Sequence, residues 1–229
     1  MSARYSILNT SLRTAGIMLV FTVVFTALMA STHQATWPAI AQSIKQEQMR
    51  LIDEVLPPTH YDNVLLDDFV QLAPGSAAAA ALALSDGGSI WRARKGGAPA
   101  ALVLEAAATD GYAGRIALVV AVDSDGRVAG VRVTAHKETP GLGDYIDPKK
   151  DRDKSRPWIT RFAGLSWSTL DAARWTVKKD GGEFDYHTGA TISARAVSRA
   201  VGRVARFAVA HRDELFAAPA GSMLQGIQP

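Results

Sequence analysis

The sequence predicts an α+β fold: one membrane-spanning helix followed by a domain with an antiparallel sheet and flanking helices. Three observations carry this: an uncharged run near the amino terminus, short apolar runs separated by turn residues between 89 and 135, and a long amphipathic pattern from about 192. A sheet and a one-sided helix each need a partner for their apolar face, and stacking one on the other supplies it. The 229 residues, 48% apolar and 21% charged, suffice for one good core and exclude a wholly disordered chain.

Between Arg13 and His33 no residue is charged, and the 19 intervening residues, 14–32, form the first element. As helix they measure about 28 Å against a hydrocarbon core of roughly 30 Å. Thr22 and Thr26 are compatible with a membrane because a helix hydroxyl can bond to the carbonyl one turn back. A cleaved signal peptide is the competing reading, but its apolar region is about 7 to 15 residues and ends in a small-x-small site. This run is longer, and Leu28 stands where a small residue is needed for cleavage after Ala30, so an uncleaved anchor is preferred. Arg4 and Arg13 precede the span with no acid among them. The positive-inside rule therefore puts residues 1–13 in the cytoplasm and the remainder across the membrane, which in a bacterium is the periplasm.

From Trp37 the residues Ile40, Ile44, Leu51, Ile52 and Val55 keep helical spacing until Pro57-Pro58 stops them, so 33–57 reads as an amphipathic helix continuing from the anchor. The run SAAAAALAL, 76–84, reads equally as helix by propensity or as a buried run by hydrophobicity. SIWRAR, 89–94, and AALVLEAAA, 100–108, are short apolar runs closed by turn residues and predict strands. GRIALVVAVDSDGRVAGVRVTAHKE, 114–138, predicts a hairpin whose DSDG turn supplies a glycine for positive φ. Residues 158–177 supply another short element, with Trp158 and Trp167 in core or interface positions. From Ile192 the residues Val197, Ala200, Val201, Val204, Ala208 and Leu215 share one helical face. Arg195, Arg199, Arg203 and Arg206 form a basic stripe on another face, either merely solvated or in contact with lipid headgroups or a partner subunit. The domain plan is then 58–216 for the periplasmic domain and 217–229 for a flexible tail.

Composition removes several functions. The chain has no cysteine, which excludes thiolate-held iron–sulfur clusters, thiolate zinc sites, disulfides and thiol nucleophiles. A net charge of +3 from 25 basic and 22 acidic residues is too balanced to point to nucleic acid. His33, His60, His136, His187 and His211 are dispersed without metal-ligand spacing, so no metal site and no hydrolase are expected. A non-redox membrane-tethered scaffold is the stronger rival.

Two stretches could hold a ligand. HKETPGLGDY, 136–145, has a proline and two glycines, which let backbone N–H groups approach a planar or anionic ligand, though the composition also suits an ordinary loop. Lys137 and Glu138 could pair with each other or meet that ligand. In EFDYHTGATISARAV, 183–197, the hydroxyls of Thr188, Thr191 and Ser193 gather at a helix amino terminus. Unpaired N–H groups and the helix dipole there suit a phosphate, while the plainer reading is a helix cap by Thr188 or Thr191.

Together these stretches resemble one family. The run from Gly111 through Tyr145, followed by Asp185, Tyr186, His187, Thr188, Gly189, Ala190 and Thr191, is similar to the FMN-binding domain of bacterial membrane electron-transfer complexes, whose D-x-x-[S/T]-G-A-T pattern is complete here. Within that family the order of anchor, amphipathic helix ending near VLPPTHYDN and single flavin domain resembles the G subunit of Rnf-type complexes. These complexes are ion-translocating ferredoxin:NAD oxidoreductases, and the C subunit of the sodium-pumping NADH:quinone oxidoreductase is the nearest alternative. The resemblance implies FMN bound covalently through its phosphate to Thr191, with Asp185 read by a flavin transferase and Thr188, Gly189 and Ala190 forming the attachment turn. It implies that Glu138, Thr139, Pro140, Gly141, Leu142 and Gly143 wrap the flavin, with Lys137 beside them. It further implies that the chain relays electrons among neighbouring subunits in the inner membrane without a catalytic residue of its own, the other subunits, the transferase and the bilayer being its partners.

Overall fold

The structure, a computed structural model, describes residues 2–224. The first element, α1 (Ser2–Asp53), is one continuous helix that runs through Pro38 and joins the expected anchor and amphipathic helix without a break. The chain divides into two units, the first ending at Gln48 and the second beginning at Met49. In the first, α1 is long and apolar enough to cross a membrane. Its large apolar side chains, among them Leu19, Phe21, Val24 and Leu28, are exposed. In water each would forgo about 1.5–3 kcal/mol of burial, a cost that hydrocarbon removes. Thr22 Oγ1 donates to Met18 O at 2.8 Å, the back-bond that keeps a hydroxyl satisfied in such a setting.

The second unit is built on a six-stranded sheet among the described residues, ordered β5-β4-β3-β2-β1-β6. Its strands are β1 (Phe69–Leu72), β2 (Gly88–Lys95), β3 (Ala98–Gly111), β4 (Gly114–Asp123), β5 (Val128–Ala135) and β6 (Met223–Leu224). All neighbours pair antiparallel except β6, which runs parallel to β1. The predicted hairpin is β4–β5, with Gly126 at φ 81° in its turn.

Both faces of the sheet are buried, which is why β3 and β4 read as nearly continuous apolar runs. Leu102, Leu104, Ala106, Ile116, Leu118, Val120 and Val122 point to the core beneath α3 (Thr191–Ala217). The alternate residues Ala101, Val103, Val119 and Ala121 point the other way, onto Ile52, Val55, Leu56 and Leu65. The helix face expected from Val197 to Leu215 is buried throughout. Arg92 on β2 is 2% exposed, pairs with Asp68 and donates to Leu215 O at 2.9 Å and to Ala218 O. It thereby satisfies carbonyls at the end of α3 that no helical N–H can reach.

The open reading of 76–84 resolves as a short helix, α2 (Ala77–Ala81), started by Ser76 Oγ, which accepts from Ala79 N. Residues 158–177 form two short 3-10 segments, Trp158–Phe162 and Ala172–Arg174, with Trp158 buried and Trp167 partly buried against the core. The basic stripe is not uniform. Arg195 pairs with Asp180 and Arg203 donates to Ala107 O at 3.0 Å, while Arg199 and Arg206 are exposed. Part of the segment expected as a flexible tail, 217–229, is ordered: Ala217 closes α3 and Met223–Leu224 form β6, while 225–229 lie outside the described residues.

Candidate functional site

Two loops from distant parts of the sequence meet at the start of α3. The first leaves β5 and turns over Thr139, whose carbonyl accepts from Leu142 N and Gly143 N, both at 3.1 Å. Gly141 takes φ 75°, which a side chain would strain, and its N–H donates to Asp144 Oδ1 at 2.9 Å. Gly143 needs no positive φ. It is required because a Cβ there would lie 2.6 Å from Ser193 Oγ and 2.9 Å from Glu138 Oε2.

Glu138 is the polar centre of this contact and is 4% exposed. One carboxylate oxygen accepts from Ser193 Oγ in the first turn of α3, and the other accepts from Ala113 N at 3.0 Å in the β3–β4 turn. Its own N–H donates to His136 Nδ1 at 3.1 Å. Glu138 therefore ties the loop to the sheet and to the helix; of the two readings left open for Lys137 and Glu138, the mutual pair does not form among the described residues, and Lys137 is exposed.

The second loop, 185–190, lies on Tyr145. Its phenol accepts from His187 N at 3.3 Å and donates to Ala190 O at 3.4 Å, and its ring stacks on His187 with centroids 3.9 Å apart. Burial pushes the phenol up to about 12. Trp158 meets Tyr145 edge-on and donates Nε1–H to Asp185 O at 2.6 Å. The Asp185 carboxylate pairs with Lys178 at 2.6 Å and with Arg161. The Lys178 hydrogen bond, followed by the charge of Arg161, holds this carboxyl below its ordinary value.

Beyond the turn, α3 begins at Thr191 with Ala190 as N-cap and no side-chain cap. The capping role considered for Thr188 or Thr191 is therefore not the one these side chains take. Gly189 lies at φ 87°, Thr188 is exposed and Thr191 is half-buried. Among the described residues neither threonine hydroxyl has a hydrogen-bond partner.

A cleft of about 240 Å³ opens between the loops, lined by Tyr112, Glu138, Thr139, Leu142, Gly143, Gly189, Ala190, Ile192 and Ser193. Six of these were predicted from sequence. On the other side of Leu142 a larger and more open depression involves Gly141, Arg152, Tyr186, His187 and Thr188. Lys137, Pro140, Asp185 and Thr191 line neither, Thr191 standing between the lining residues Ala190 and Ile192. Sequence reasoning did not select Tyr112, Ile192, Ser193 or Tyr145 as site residues. Ser193 was visible as a hydroxyl beside the motif, and Tyr145 as the residue following GLGD, but no spacing rule links either to its partner.

These residues suit FMN. The cleft lies where the glycine loop faces the start of α3. Its walls at Leu142, Ile192 and Tyr112 are apolar, and an uncapped helix amino terminus adjoins it for a phosphate.

Fold and site define a flavin-binding domain carried behind an apolar helix, and comparison agrees: the FMN-binding domain family matches residues 111–206, and the RnfG N-terminal region matches residues 1–55. The G subunit of the ion-translocating oxidoreductase complex of Pseudomonas aeruginosa is 42% identical over 206 residues, covering 90% of this chain and 92% of the relative. Its counterpart in Escherichia coli O157:H7 is 42% identical over 213 residues, 92% and 97% of the two chains, and that in Shewanella loihica is 37% identical over 213 residues, 93% and 96%. The chain belongs to the family of G subunits of the ion-translocating oxidoreductase complex.

Proposed function

We propose that this chain is a membrane-anchored electron-transfer subunit of a Rnf-type ion-translocating oxidoreductase complex, with FMN joined through its phosphate to Thr191. The observation that carries the reading is the meeting of the 138–143 loop and the 185–190 loop at the uncapped start of α3, beside a threonine hydroxyl that has no partner among the described residues. The relatives, G subunits by name, support membership of the complex, with its other subunits as partners.

When bound, the flavin supplies the redox chemistry. The chain's residues hold and orient it. The amino terminus of α3 stabilises the negative charge that a phosphodiester retains. Glu138 keeps the glycine loop against α3, so that Thr139, Leu142 and Gly143 form one wall of the cleft and Gly189, Ala190 and Ile192 the other. Thr191 acts as the substrate of a separate flavin transferase and not as a nucleophile in a reaction of this chain's own. Asp185 belongs to what the transferase reads. The span 14–32 anchors the chain in the inner membrane with residues 1–13 in the cytoplasm and the flavin domain, 58–216, in the periplasm.

The test is co-expression with a flavin transferase, a denaturing gel imaged under ultraviolet light, and mass spectrometry of the fluorescent peptide. Label on Thr191 supports covalent attachment. A dark band, with the transferase active on a known acceptor, refutes it.

A further inference from the structure

We infer that the loop from Asp147 to Arg156 is a docking surface for the acidic face of a mobile partner protein that exchanges electrons with the flavin. This rests on the reading of the neighbouring cleft as the flavin site. The loop joins the 3-10 turn Gly143–Ile146, which ends the glycine loop, to the 3-10 segment Trp158–Phe162. It carries five cations, Lys149, Lys150, Arg152, Lys154 and Arg156, and three carboxylates, Asp147, Asp151 and Asp153.

The two signs are put to different uses. Asp147 Oδ1 accepts from Lys149 N at 2.9 Å. Asp151, 3% exposed, accepts from Asp153 N at 3.0 Å and from Trp158 N at 2.6 Å. Asp153 Oδ1 accepts from Ser155 Oγ at 2.6 Å and from the N–H groups of Ser155 at 3.1 Å and Arg156 at 3.0 Å. The carboxylates thus fasten the loop internally, taking up backbone donors that no helix or strand employs. All five cations are exposed. Lys154 Nζ donates to Lys149 O at 2.6 Å and Arg156 feels the charge of Asp153, while Lys149, Lys150 and Arg152 have no carboxylate partner among the described residues. Like charges side by side repel, so this excess does nothing for folding; it serves an anionic surface that arrives from outside.

The loop stands beside the flavin cleft. Arg152 and Asp153 share a depression with Leu142, Tyr186, His187 and Thr188, and Leu142 also lines the cleft. Past that depression Asp185 is outnumbered by Arg161 and Lys178, which extends the positive field. Electron transfer weakens steeply with distance, so a redox partner has to land close by, and a charged rim steers it there. Lysine is depleted in the cores of lasting interfaces, and brief redox encounters bury little surface, so a rim of solvated lysines fits a partner that comes and goes. A lipid surface fits less well. Ile146 and Trp158, which bracket the loop, belong to the core beneath α3, whereas the chain enters this unit through Ile52, Val55 and Leu56 on the opposite face of the sheet.

The experiment uses the full chain carrying FMN in detergent, with its flavin reduced by dithionite, mixed in a stopped-flow instrument with either an acidic or a basic soluble c-type cytochrome of similar potential. The acidic cytochrome is expected to react at least about tenfold faster at about 20 mM salt, with the two rates converging at about 300 mM. Lys149→Glu combined with Lys150→Glu, residues that line neither cavity, reverses the preference while covalent FMN and the circular dichroism spectrum stay as in wild type. A water-soluble carbodiimide, which joins amines to carboxylates in contact, links the acidic cytochrome to Lys149 or Lys150, as mapped by mass spectrometry. Equal rates for the two cytochromes, an unchanged preference in the double variant, or links confined to other lysines overturn the proposal. Shielding of Lys149 and Lys150 from acetylation in phosphatidylglycerol nanodiscs but not in phosphatidylcholine ones, without a cytochrome link, identifies a headgroup surface and overturns it as well. A chain that is dark on the denaturing gel refutes covalent FMN alone, and the carbodiimide link then decides the docking surface.

Discussion

Gly143→Ala puts a methyl group into the contact that joins the glycine loop to α3. The new Cβ would stand 2.6 Å from Ser193 Oγ, 2.9 Å from Glu138 Oε2 and 3.3 Å from Glu138 Cβ. All three belong to groups held in place, because Glu138 is fixed at both oxygens and Ser193 sits in the first turn of a helix. The loop must therefore lift away, breaking the bond from Ser193 to the carboxylate. A hydrogen bond to a charged group contributes about 1.5–3 kcal/mol, and overpacking adds about 1–3 kcal/mol. A total of about 2.5–6 kcal/mol lowers the melting temperature of a domain of this size by about 5–24 °C. The control is Gly141→Ala in the same loop, where a Cβ meets nothing within 4 Å and only the φ of 75° opposes it. That substitution costs about 1–2 kcal/mol and lowers the midpoint by about 2–8 °C. Both are read by circular dichroism melting of the full chain in detergent. A Gly143→Ala midpoint at or above that of Gly141→Ala would refute the argument from close packing.

Thr191→Ala abolishes covalent flavin on a denaturing gel while leaving the chain in the membrane fraction, since the apolar helix is unaltered; flavin that survives denaturation in this variant contradicts the attachment. Asp68→Ala strands the buried Arg92 guanidinium without its carboxylate, at a cost of about 3–5 kcal/mol, and lowers the melting midpoint by on the order of 10 °C. The phenol of Tyr145 is raised from 10.0 to about 12 by burial, so the unfolded chain loses this proton first as pH climbs. Its stabilising contribution is whole below pH 10 and is lost as pH rises through about 12. Melting midpoints taken from pH 9 to 12 should fall less steeply in Tyr145→Phe, the residual slope including Tyr61, which is also raised to about 12.

Local pattern determined much of this protein. The uncharged run from Thr14 to Thr32, the DSDG turn between two β-rich runs and the apolar face from Val197 to Leu215 each follow from a period or a turn chemistry that a few adjacent residues contain. The D-Y-H-T-G-A-T segment was legible for the same reason, as seven consecutive residues. What tertiary structure decided lies where partners are far apart in the chain. Glu138 finds Ser193 across 55 residues, and Arg92 finds the carbonyl of Leu215 across 123. The arginine stripe divides because Asp180 and the Ala107 carbonyl lie within reach of two of its members. Ser222 and Leu224, read as tail, bond to the free edge of β1 through their carbonyls. A side chain's period records which way it points, but what it meets is set by the order of strands in the sheet, and that order is fixed by burying both faces at once.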